Sequence, residues 1–280
     1  MTNLIFIYSM SHSGSTLLDL MVSGHSNVVG LGEVFAVINE GSKSLIDNEQ
    51  KICSCGAHLM DCEFWGVVHK RLKDKNLNHE EAYLEVFNIF REVYGEGTIP
   101  LDSSKYFPNL QYLHDKVDNI KVLFLVRDVR SFTISQIDKI KKKGNSLSVQ
   151  KRFLRGNPFP IFLKWYLTNK KMNDFLVEKN MSFLQVGYEE LCLRPKIIMN
   201  KVCDFLEIEF EEDMIYLGES GSHVVRGNRM RFQKEKRELM YDNRWFRRKE
   251  WHLPTVAYPN IMRFNTEMVY SNKLDKVWKK

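Results

Sequence analysis

"IYSMSHSGSTLLDL" (residues 7–20) passes from an apolar run, through small polar residues around a single glycine, into leucines at helical spacing. The pattern reads as strand, tight turn, helix. Its spacing overlays the phosphate-cradling loop GxxxxGK[ST], with Ser9 at the first glycine, Gly14 at the second, Ser15 where lysine belongs and Thr16 last. Even without the lysine, the first N–H groups of the helix lack intrahelical partners and sit at the positive end of its dipole, which makes the turn an anion cradle. Gly14 lets an anion approach the backbone, and Ser11, Ser13, Ser15 and Thr16 add hydroxyls. A strand-turn-helix with no ligand is the competing reading of this stretch taken alone.

Outward from it, "LIFIY" (4–8), "TIPLD" (98–102), "VLFLV" (122–126) and "SFLQV" (182–186) are short apolar runs of the kind that a parallel sheet buries on both faces. Helical patterns follow them at 16–23, 107–116, 129–142 and 188–206, and the longer stretches 64–94 and 147–178 supply further helical layers. Strand alternating with helix predicts an α/β fold: three layers, a mostly parallel central sheet, and helices on both faces. Ligands of such sheets bind beyond the carboxyl ends of the strands, where the opening stretch lies. No linker divides the chain, so residues 1–280 are expected to form a single domain. It carries a cysteine-containing insertion around 41–66 and a basic C-terminal region, 226–249.

No apolar run approaches the roughly 18–20 residues that cross a bilayer, and the N-terminus has no basic start or cleavage site. A soluble cytoplasmic protein without stable membrane insertion is expected. Five cysteines are too few and too odd in number for a disulfide scaffold, so they are read as thiols. The net charge is +6, yet window 226–249 holds ten Lys/Arg against three acids, leaving −1 for the rest. A localised anion site fits this better than a nucleic-acid coat.

A second stretch, "VLFLVRDVRSFTISQ" (122–136), places Arg127 at a strand end and Ser135 eight residues later in a helix. With the first loop, this pair resembles the sulfotransferase family, whose members use 3′-phosphoadenosine-5′-phosphosulfate (PAPS) on a P-loop NTPase-like fold. The resemblance implies that the first loop (Ser11, His12, Ser13, Gly14, Ser15, Thr16) holds the 5′-phosphosulfate and that Arg127 and Ser135 hold the 3′-phosphate. A guanidinium suits a terminal phosphate because it binds bidentately. An ion pair with Asp128 is the alternative use of Arg127.

"VGYEELCLRP" (186–195) resembles the family's V-x-Y-E-D-L segment, which makes Tyr188 the adenine candidate. "HVVRGNRMRF" (223–232) resembles the late basic loop of bacterial members, G-N-P-M-R, with Arg229 in place of the proline. It offers Arg226, Gly227, Asn228 and Arg229 to the nucleotide, with Arg231 nearby; a solvated basic surface is the other reading. His12 stands where much of the family has Arg or Lys, as in a bacterial branch, and implies a donor facing the leaving phosphate; a purely structural His12 is the alternative.

In-line sulfuryl transfer needs a base for the acceptor's proton and positive charge at the leaving phosphate. By the same resemblance, Glu33 in "VGLGEVF" is the base and Lys105 in "LDSSKYFP" (101–108) assists the leaving group, with Asp102 a second possible base. Glu33 as a helix-start surface residue and Lys105 as a solvated side chain remain open. The acceptor is expected to be a small molecule, sugar or lipid bearing a hydroxyl or amine, with adenosine 3′,5′-bisphosphate as the other product and no metal required.

"CSCGAHLMDCEFW" (53–65) offers Cys53, Cys55, His58 and Cys62 to a metal, but Cys-x-Cys is tighter than the usual pair spacing. The preferred reading is a packed lid or substrate-side segment anchored by Phe64 and Trp65. Two other functions stay in view. A P-loop nucleotide or small-molecule kinase would need the lysine that Ser15 replaces, and a non-catalytic nucleotide or nucleic-acid binder would show strong salt dependence and no preference for a 3′-phosphate.

Overall fold

The chain begins with a strand because its first apolar run alternates between two cores. In Asn3–Ser9 (β1), Leu4, Phe6 and Tyr8 enter one hydrophobic cluster while Ile5 and Ile7 enter another on the opposite side. Asn119–Val126 does the same, sending Val122, Phe124 and Val126 one way and Leu123 and Leu125 the other. With both faces covered, the sheet is the middle of three layers. The computed structural model describes residues 3–38, 51–73, 75, 77–105, 107–117, 119–142, 156–218, 221–232 and 235–270.

In chain order, β1 is followed by α1 (Ser15–Val22), β2 (Val28–Gly32), α2 (Val34–Ile38), α3 (Trp65–Lys73), α4 (His79–Tyr94) and β3 (Ile99–Asp102). Then come α5 (Phe107–His114), β4 (Asn119–Val126), α6 (Val129–Lys142), α7 (Pro158–Glu178) and β5 (Phe183–Gly187). The last helices are α8 (Tyr188–Leu193), α9 (Pro195–Leu206), α10 (His252–Ala257) and α11 (Pro259–Val269). All five strands are parallel, in the order β2-β3-β1-β4-β5. Leu17, Leu18 and Leu20 of α1 and Ile198, Met199 and Val202 of α9 cover one face. The other face is covered by α3, α4, α6, α7 and α11, with Phe64, Trp65, Phe90, Phe162 and Trp165 at its centre.

The α/β architecture agrees with the sequence, with three corrections. Strand β2 is absent from the expected strands, because its "VVGLG" carries two glycines that weaken a strand. They are needed for packing: a Cβ on Gly30 would lie 2.3 Å from both Asp19 Oδ1 and Ser23 Oγ, and Gly32 has φ 69° with Val224 Cγ1 2.8 Å from where its Cβ would be. The stretch 64–94 is two helices, divided where Asn78 accepts from the N–H of Glu80 and Glu81 while Glu81 caps back. The pattern 188–206 is also two, since Pro195 starts α9 after Arg194. Expectations for 41–50, for 147–155 and for Gln233 and Lys234 lie outside the described residues.

Candidate active site

Every strand delivers a predicted residue at its carboxyl end. The anion loop follows β1, Glu33 follows β2, Lys105 follows β3, Arg127 follows β4 and Tyr188 follows β5. Because β1 is central, the sheet order puts Lys105 and Glu33 on one side of the loop and Arg127 and Tyr188 on the other. This is the switch point at which open parallel sheets bind ligands.

Gly14 caps α1 with φ 98° and ψ 15°, a left-handed conformation that glycine adopts freely. A Cβ there would lie 2.3 Å from Tyr188 Cδ2, so the tyrosine ring closes directly over the loop. His12 is also left-handed, φ 73°, and its carbonyl accepts from Arg127 Nη1 at 3.1 Å. Ser13 and Ser15 are buried. Asn228 N–H donates to Thr16 Oγ1 at 3.3 Å, and Gly227 rests against the same side chain, so the late basic loop reaches the first one.

Two cavities meet at this edge. One, of about 650 Å³, is lined by Ser11, His12, Gly14, Ser15, Thr16, Arg127, Ser135, Tyr188, Arg226, Gly227 and Asn228, with Glu33 and Lys105 at one end. The second, of about 1200 Å³, runs from Ser11, His12, Glu33 and Lys105 to Phe132, Ile161 and Met172, with Lys164 and Lys171 along it. Ser11, His12, Glu33, Lys105 and Lys139 belong to both. Of the predicted binding residues, Ser13 sits buried behind the loop and Arg229 is exposed; neither lines the first cavity.

At the junction Lys105 Nζ lies 2.5 Å from Glu33 Oε1, and Lys105 itself has φ 66°. Asp102 is fully buried and lines neither cavity. It accepts from Tyr83 Oη, from the Ser104 N–H at 2.8 Å and hydroxyl at 2.5 Å, and from the Val34 N–H at 3.4 Å; burial raises its pKa to about 6. It therefore braces the two turns that carry Glu33 and Lys105. Asp19, beneath the loop in α1, is fully buried too, and burial lifts its pKa to about 7.

Arg127 is held on every side. Its Nε donates to Ser131 Oγ at 2.8 Å, its Nη2 to Asp242 Oδ2 at 2.9 Å, and its guanidinium lies 4.6 Å from the Tyr188 ring centre. The expected alternative partner, Asp128, pairs with Arg130 instead. Arg244 completes the clasp on Asp242, with Nε to Oδ1 at 2.7 Å and Nη2 to Oδ2 at 2.8 Å. Hydrogen bonds from Arg244, joined by Arg127, hold the Asp242 carboxyl well below the usual range. Much of the basic window is thus paired internally, as Arg248 is with Asp138 and Glu250.

The sequence reading misses Lys139, one helical turn beyond Ser135, together with Asp242, Arg244 and Arg237. The i+4 spacing of Ser135 and Lys139 is the available signal. The cysteine segment is expected to pack without a metal, and the quartet it offers as the lesser reading is not the one that forms: Cys53, Cys55 and Cys62 gather with His223, and His58 is not in the group.

The sulfotransferase family model matches residues 4–212, and the chain belongs to that family. The sulfotransferase domain from the curacin biosynthetic pathway is similar over 92% of this chain and 98% of its own, at 20% identity and TM-score 0.58. The corresponding domain of the Synechococcus PCC 7002 olefin synthase is 19% identical, with 89% and 85% covered and TM-score 0.49. A sulfotransferase from Alicyclobacillus acidocaldarius is 17% identical, with 76% and 88% covered and TM-score 0.44. The curacin-pathway domain carries the likeness of fold. No curated protein sequence matches the chain. Among the described residues no helix is long and apolar enough to cross a membrane.

Proposed function

We propose that the protein transfers the sulfuryl group of PAPS to a hydroxyl or amine of a small acceptor by in-line displacement. The observation that carries this reading is the shared wall of the two cavities, where the anion loop, His12, Glu33 and Lys105 meet. A donor in the first cavity and an acceptor in the second face each other across that wall.

The donor set suits the nucleotide. Helix N-terminal amides with the hydroxyls of Ser15 and Thr16 bind the 5′ end, and Arg127 with Ser135 binds the 3′-phosphate. Asp242 supports the second assignment, since a carboxylate clasped by two guanidiniums marks an anion position. The incoming phosphate displaces it. Tyr188 is 7% exposed and carries Arg127 on its ring, so it offers adenine an edge.

Glu33 accepts the acceptor's proton as the acceptor–sulfur bond forms and the bond from sulfur to the leaving phosphate oxygen breaks. Lys105 and His12 face the charge that collects on that oxygen. The Lys105–Glu33 pair keeps both groups at the junction until the donor's phosphate draws the ammonium away. An acceptor with an apolar body fits the Phe132, Ile161 and Met172 wall, and Lys164 and Lys171 favour a polar or acidic group at its far end.

Thermal-shift titration tests the reading. Adenosine 3′,5′-bisphosphate should raise Tm, and go on raising it with the logarithm of its concentration above Kd, while ATP with Mg²⁺ should not. Equal stabilisation by ATP and Mg²⁺ would favour a kinase and overturn it.

A further inference from the structure

The cysteine segment and the late loop meet outside the walls of both cavities. Cys53, Cys55, Cys62 and His223 bring one ligand atom each to within 4.8 Å of all the others, and Cys62 and His223 are 161 residues apart. Cys53, Cys62 and His223 are buried, and Cys55 is the exposed member. The Sγ atoms of Cys62 and Cys53 stand 3.2 and 3.7 Å from the same nitrogen, His223 Nδ1. Ligands of a tetrahedral zinc ion, with Zn–S about 2.3 Å and Zn–N about 2.0–2.1 Å, sit about 3.6 Å apart along an S···N edge. The observed separations bracket that edge.

The other side of the imidazole is held as a metal ligand requires. His223 Nε2 lies 2.8 Å from Tyr94 Oη and 3.2 Å from Glu63 Oε1, so an Nε2–H donated to the carboxylate leaves the Nδ1 lone pair facing the sulfurs. The Trp65 N–H points at Cys62 Sγ, 3.5 Å away, as backbone amides do toward thiolates. The tight Cys-x-Cys spacing is accommodated by a turn: Gly56 has φ 94°, its N–H donates to Cys53 O at 2.9 Å, and Cys53 N–H donates to Ala57 O at 3.0 Å.

We propose that Cys53, Cys55, Cys62 and His223 bind one zinc ion as a closed, four-coordinate structural centre. Three thiolates and an imidazole are a zinc donor set with no open position for chemistry. Each thiol that ligates gives its proton to solvent. The centre fastens the insertion to the stretch 222–225, which Ser54 already grips: its N–H donates to Val224 O at 3.0 Å and its hydroxyl to Ser222 O at 2.6 Å. Trp65 Nε1 donates to His223 O at 2.6 Å. Arg226, Gly227 and Asn228 follow directly, so the ion positions the loop that lies on Thr16.

The test is elemental analysis of the full chain purified without chelator, together with cobalt exchange. The expected results are close to one zinc per chain, thiolate-to-cobalt charge-transfer absorption after exchange, and loss of both in Cys62→Ser and His223→Ala, with His58→Ala retaining them. Stripping zinc from the wild-type chain should lower Tm, and adding it back should restore it, which keeps the test alive if the variants fail to fold. A zinc-free chain whose Tm ignores both chelator and added zinc would overturn the proposal. So would a Cys53–Cys62 disulfide seen by mass spectrometry of the unreduced protein. Neither result depends on whether PAPS is the donor.

Discussion

The first loop and the late loop face the same cavity but are made by different physics. Residues 9–16 form their cradle from backbone geometry within one β-α turn, fixed by the left-handed Gly14 and the start of α1. Residues 222–232 and 235–244 form theirs from distant contacts: Asn228 on Thr16, Asp242 between Arg127 and Arg244, and His223 among the cysteines. An anion site built of amides is written in a short motif. One built of paired side chains is written only in the folded chain.

Substitutions separate the two kinds of construction. The largest effect lies beneath the first loop, at Asp19. Its folded pKa of about 7 exceeds the unfolded value, so the folded chain holds this proton more tightly and its contribution is intact below about pH 4. Stability should then fall as pH rises from about 4 to about 7, by a few kcal/mol, because each tenfold gain in proton affinity on folding corresponds to about 1.4 kcal/mol. Denaturant titrations across that range should show a steeper fall in the wild type than in Asp19→Asn, which keeps the smaller slope from Asp102 and Glu189, whose pKa values burial raises to about 6 and about 8. Glu33→Gln comes next: turnover should drop on the order of a hundredfold, the scale of losing a general base, with nucleotide affinity unchanged by calorimetry.

Arg127→Ala should weaken adenosine 3′,5′-bisphosphate by roughly tenfold or more, because charge-assisted hydrogen bonds contribute about 1.5–3 kcal/mol, and it removes one of the two guanidiniums on Asp242. Gly14→Ala attacks the backbone instead. The left-handed φ costs a side chain about 1–2 kcal/mol and the new Cβ meets the Tyr188 ring, so both Tm and nucleotide affinity should fall. The smallest change is Asp242→Asn, which removes a competing charge from the Arg127 fork. Nucleotide affinity should rise a few-fold, on the order of 1 kcal/mol, and a fall in affinity would show that Asp242 belongs to the binding geometry.

Legibility follows the same division. β1, β4 and β5 can be read because their apolar runs serve two cores, and β3 because its short apolar run sends Leu101 into one of them, whereas β2 is hidden by Gly30 and Gly32, which exist to admit Asp19, Ser23 and Val224. The helix breaks at Asn78 and Pro195 carry local signals that the broader periodicity masks. In the site, the loop, Glu33, Lys105, Arg127 and Tyr188 are legible because each directly follows a strand or ends a familiar segment. Asp242, Arg244 and the fourth member of the cysteine cluster depend on which loops fold back on which strand ends, and neighbouring residues do not encode that, whereas Lys139 can be read from its i+4 spacing to Ser135.

Among the described residues, the two cavities share the wall that Ser11, His12, Glu33, Lys105 and Lys139 form. Under the proposed reaction, neither occupant has anything to react with until the other has arrived. Initial-rate plots with both concentrations varied should therefore intersect instead of running parallel, and a chain incubated with donor alone should emerge unmodified.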